Sequence, residues 1–198
     1  MPARNLHLTG NPDADALLTD DPLALLIGMV LDQQIPLERA FASPFDLKER
    51  LGGTLDAGAI AAMDPDALAA VFGAKPALHR FPRSMAGRVQ DVCRIVTEEY
   101  GGDAAAIWNG AADGKDLLAR LRALPGFGVQ KARIFIALLG KQRGVRPTGW
   151  RQVSAPFGEA GSHLSIADID SPAALEKVRR YKQQMKADAK AKAATAAT

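Results

Sequence analysis

The chain has 198 residues, 47% hydrophobic and 24% charged, the composition of one globular domain or two small lobes able to bury a core. Disorder and a collagen-like fibre are excluded. The longest nearly uncharged apolar run, Pro22 to Leu31, is about half a membrane span, and no basic region followed by an apolar stretch opens the chain. The expectation is therefore a cytoplasmic protein with no membrane partner. A single cysteine, Cys93, leaves no internal disulfide, four-cysteine zinc site or four-cysteine iron–sulfur cluster. His7, His79 and His163 show no metal-ligand spacing, so neither metal nor cofactor is expected.

The net charge of +3 hides a segregation along the chain. Residues 1–74 hold 4 basic and 11 acidic side chains, whereas residues 75–151 hold 14 basic and 6 acidic. Residues 152–175 carry 3 acids and no base, and residues 176–198 carry 7 bases and 2 acids. A basic middle points to a polyanionic partner, most simply nucleic acid.

Alanine, leucine and arginine dominate the periodic stretches and no run of alternating β-branched residues occurs, which predicts an all-α protein. Asp21-Pro22 caps a helix that ends near Gln33-Gln34, because Pro36 disfavours helical geometry in Ile35. A short helix over Leu37–Ala42 is expected next, then another capped by Ser43-Pro44 and stopped by Gly52-Gly53. Asp64-Pro65 opens a helix ending at Gly73, and Ser84 to Tyr100 forms a long amphipathic one closed by Gly101-Gly102. Asp113–Ala123 follows, then the turn Leu124-Pro125-Gly126-Phe127-Gly128, then an apolar helix from Val129 to Leu139 stopped by Gly140. Residues 142–165 read as an irregular loop with room for one short helix. Ser171-Pro172 caps a last helix to about Met185, leaving 186–198 as a mobile Lys/Ala tail on a single domain spanning 1–185.

The segment from about 115 to 140 carries the most chemistry. Two glycines one residue apart allow a sharp turn and leave amide groups open at the start of the second helix, an anion site suited to a DNA phosphate. Gly126, Gly128, Gln130, Lys131 and Arg133 are the candidate contacts, of a kind that position a duplex without reading its sequence. The alternative is a plain corner that only packs.

Leu-Pro-Gly-Phe-Gly followed by Lys131-Ala132 resembles the helix-hairpin-helix motif. About ninety residues upstream, Leu26-Ile27-Gly28-Met29-Val30-Leu31-Asp32-Gln33-Gln34 is similar to the N-terminal signature of the helix-hairpin-helix/GPD superfamily of base-excision DNA glycosylases. The resemblance covers roughly residues 23–150. It implies a two-lobed helical fold, acting as a monomer on double-stranded DNA near the nucleoid, with an extruded base held between the lobes. Gln33 or Gln34 matches the position that fills the vacated stack. Trp150 would face the base pocket, where an indole stacks on a base or plugs the space, and Trp108, Phe127, Phe135 and Phe157 are further aromatics within reach of it.

The family's catalytic aspartate falls on Thr148, and no Asp or Glu occurs between Asp116 and Glu159. The Schiff-base lysine of bifunctional members falls on Gln130, so the resemblance is to monofunctional enzymes. Catalysis then requires a relocated carboxylate, for which Asp32 is the first candidate, with Glu38 and Glu159 behind it. Base release by N-glycosidic hydrolysis is the leading expectation. A noncatalytic lesion-binding protein and a helical protein–protein module are the alternatives.

Overall fold

A computed structural model describes residues 5–196, and within them every regular element is helical. The chain runs through α1 (Pro12–Asp20), α2 (Pro22–Leu31), α3 (Leu37–Arg50), α4 (Ala57–Ala62), α5 (Pro65–Gly73) and α6 (Pro82–Tyr100). It continues through α7 (Ala106–Asn109), α8 (Gly114–Ala123), α9 (Val129–Gln142) and α10 (Trp150–Ser154), then a 3-10 turn at Ile166–Asp168 and α11 (Pro172–Ala196). The helix starts follow from side-chain caps. Asn11, Asp21, Asp56, Asp64 and Asp113 each accept a hydrogen bond from the first turn they precede, and proline opens α1, α2 and α5.

Three departures from the sequence expectation have physical causes in the fold. The two helices expected on either side of Ser43-Pro44 are one, and Arg39 bridges the proline. Its guanidinium pairs with Asp46 at 2.7 Å and donates to the carbonyl of Ala77, also at 2.7 Å. α9 passes through Gly140 instead of stopping there. A β-carbon at Gly140 would lie 2.4 Å from the Trp150 ring, so this glycine admits an indole and does not end the helix. Finally, α11 runs past Met185 to Ala196, as its alanine and lysine content favours once no breaker intervenes; residues 197–198 of the expected tail lie outside the described residues.

α1, α2 and α3 pack on one another, and α4 and α5 lie along α6. α7, α8, α9 and α10 form a third group, which the 3-10 turn joins to α11. Leu26, Ile27, Met29, Phe41, Phe72, Phe135 and Ile136 are all fully buried in one continuous apolar cluster. Each such side chain contributes about 1.5–3 kcal/mol. The segment before α1 meets the start of α11: Asn5 and Leu6 line the same small cavity as Pro172 and Leu175. No described helix is long and apolar enough to cross a membrane.

Candidate nucleic-acid interface and cleft

Residues 124–128 reverse the chain between α8 and α9, which pack together. The turn closes through Phe127 N–H donating to Leu124 O at 3.1 Å, with Gly126 at φ +85°. Gly128 enters α9 in extended geometry and no side chain caps that helix, unlike α8, where Asp113 accepts from Asp116 N–H at 2.8 Å. The first amides of α9 thus face outward beside Val129, which is 40% exposed, and beside the exposed Gln130 and Arg133. This is the electrostatic arrangement that favours an anion.

Lys131, expected at the same anion site, points elsewhere. Its ammonium donates to Val30 O near the end of α2 at 3.1 Å and stands 5.8 Å from the centre of the Phe127 ring. Burial pushes this ammonium down to about 8, against the opposing pull of the Asp32 carboxylate. The cause is simple. The last carbonyls of α2 lack helical partners and carry the negative end of its dipole, so the nearest ammonium satisfies them.

Asp32-Gln33-Gln34 follows α2 directly. Gln33 was a candidate to probe DNA, but its side chain is engaged inward. Its amide nitrogen donates to Val30 O at 2.8 Å and its amide oxygen accepts from Arg88 at 3.0 Å. Arg88 in turn lies under the turn, where a β-carbon on Gly126 would come within 2.6 Å of its Cδ. Gln34 is the residue left facing out, and it holds φ +56°, a conformation non-glycine residues seldom adopt.

His79, Phe81 and Arg88 surround this junction and carry no sequence motif. The imidazole of His79 is buried and reaches Gln33 O at 3.0 Å, and burial holds its pKa below 6.5. Phe81, at the entry to α6, is 42% exposed with Arg80 4.9 Å over its ring. An exposed aromatic beside a guanidinium was the available signal, but Leu78-His79-Arg80-Phe81 reads as an ordinary loop in sequence.

Beside the junction opens a cleft of about 1020 Å³. Asp32, Gln34 and Glu38 line one wall, Gln130 and Ile134 come from α9, Phe157 and Ile166 from the segment after α10, and Val178, Arg179 and Tyr181 from α11. Asp32 and Gln130, separated by a large stretch of sequence, thus share one cavity. Arg179 reaches across to Glu38 at 2.6 Å and also pairs with Glu176. A cleft of this make-up, with carboxylates, carboxamides and aromatic rings around apolar walls, suits a flat heterocycle with polar edges.

The remaining predicted positions lie elsewhere. Thr148 is exposed and does not line the cleft; its carbonyl accepts from Gly114 N–H at 2.8 Å. Glu159 is exposed and also off the cleft. Trp150, expected at the base pocket, does not line this cleft. It is 6% exposed, fills the space over Gly140 and carries Arg151 4.5 Å above its ring, so its role is packing. Trp108, Phe127 and Phe135 are buried against one another, leaving Phe157 as the cleft aromatic among those the sequence offered. Among the described residues no group of His, Cys, Asp or Glu could hold a metal ion. No family model matches the chain, and no curated protein or solved structure matches it.

Proposed function

We propose that the chain is a two-lobed DNA-binding protein of the helix-hairpin-helix/GPD glycosylase type that releases a damaged base from duplex DNA. The observation that carries this reading is a juxtaposition. The uncapped start of α9, the outward Gln34 and the cleft holding Asp32 and Gln130 all meet where α2 approaches α9. Phosphate binds the amides after Gly128 with Arg133 beside them, Gln34 enters the duplex, and the extruded base occupies the cleft. Asp32 then stabilises positive charge on the sugar or activates a water as the N-glycosidic bond breaks.

The test is base release from duplexes carrying alkylated, deaminated or oxidised bases, scored as alkali-dependent nicks, with binding measured at two salt concentrations. Product that Asp32→Asn abolishes while affinity stays unchanged supports the enzyme. Binding that ignores salt removes the phosphate interface, since each neutralised phosphate steepens the salt dependence.

The second reading is a lesion-binding protein without chemistry. The position of Thr148 off the cleft favours it, because the family's acid then has no direct counterpart. Tight, salt-sensitive binding with no product on any substrate would select this reading.

A further inference from the structure

The Gln33–Gln34 turn and the Phe81 loop come from distant parts of the sequence, yet one side chain joins them. The buried imidazole of His79 accepts from Phe81 N–H at Nδ1, 3.1 Å away. That bond fixes the tautomer, so Nε2 carries the proton and donates to Gln33 O at 3.0 Å. The Gln33 carbonyl belongs to the peptide leading into Gln34, whose left-handed backbone persists only where its surroundings hold it, at a cost of about 1 kcal/mol or more. His79 and Phe81 also stand ring against ring, centroids 6.0 Å apart. The two side chains this clasp presents, Gln34 and Phe81, are both exposed. Arg80 and Lys131 are the charges that face the imidazole, and both disfavour its protonation, as does burial.

We infer that His79 is a positioning residue that sets Gln34 and Phe81 as a pair of probes for the space left by an extruded base. This rests on the DNA-binding reading above and adds to it the device that fixes two intruding side chains relative to each other. Filling a vacated stack needs a side chain held close to its working position, which an exposed turn cannot supply alone. One neutral imidazole with two differently used nitrogens links both loops.

The experiment uses the full chain and a duplex with 2-aminopurine placed against a mismatch. Anisotropy reports binding, and 2-aminopurine fluorescence reports unstacking at saturating protein. The unsubstituted chain is expected to bind and raise the fluorescence, and Gln34→Ala and Phe81→Ala each to lower that rise. His79→Phe, which removes both hydrogen bonds, is expected to abolish the rise while binding remains. His79→Gln keeps a donor for Gln33 O, and His79→Asn keeps an acceptor for Phe81 N–H. Each should recover part of the signal, and combining His79→Gln with Phe81→Ala should add no further loss.

A folded His79→Phe chain that unstacks as well as the unsubstituted one overturns the inference and leaves the DNA-binding reading standing. If His79→Phe fails to fold, full fluorescence in both the Gln and Asn variants overturns it equally. Absence of salt-dependent binding by the unsubstituted chain overturns the DNA-binding reading, and the clasp with it.

Discussion

Lys131 and Gly126 sit five residues apart and show opposite relations between sequence and site. Gly126 does what its sequence context demands: at φ +85°, with the Arg88 side chain packed beneath it, any other residue is strained and displaces Arg88. Gly126→Ala is expected to cost about 1–2 kcal/mol of stability, read from denaturant unfolding, and, on the DNA-binding reading proposed above, to weaken affinity for duplex by displacing the start of α9. Lys131 looked like its partner in phosphate binding, yet its ammonium is occupied by Val30 O. Its proton comes off near pH 8 in the folded protein, whereas the unfolded chain keeps its proton up to about 10.5. Between those values the unfolded state binds more protons, so the stability tied to Lys131 rises with pH and its penalty is fully present below 8. Comparing thermal unfolding of Lys131→Met with the unsubstituted chain at pH 7 and pH 10.5 checks this. The variant's stability relative to the parent should be greater at pH 7, and no change in the difference would refute it.

Helix starts were readable wherever the cap is a local matter, as at Asp21-Pro22 and Asp64-Pro65, since cap and first turn are neighbours in sequence. Helix ends were less readable because distant residues decide them. Arg39 bridges Pro44 within α3 and contacts residues 76–77, and Trp150 explains why a glycine sits inside α9. Gly140→Ala is accordingly expected to destabilise by about 1–3 kcal/mol through overpacking, although alanine is the better helix former. A rise in melting temperature would show that the indole yields freely. The same distinction governs the site. The turn at 124–128 and the end of α2 were visible as motifs, whereas His79, Arg88 and Tyr181 reach the junction only through the fold.

Across the whole molecule, α11 reaches back to α3 at the cleft, where Arg179 pairs with Glu38. Exposed pairs of this sort add at most about 1 kcal/mol, so the pair matters more for where α11 lies than for how stable the fold is. The loop before α10 is anchored differently. Thr148 O accepts from Gly114 N–H, and a β-carbon on Gly114 would stand 2.8 Å from the Gly149 carbonyl carbon, so main chain rests on main chain there. Thr148→Asp is expected to leave base release unchanged in the nick assay, because the new carboxylate would stand in solvent outside the cleft. A single codon can replace the side chain but cannot lift the backbone off α8. The path of the chain thus keeps position 148 out of the cleft, and on the glycosylase reading proposed above any acid that serves the cleft has to come from its own wall, where Asp32 and Glu38 stand.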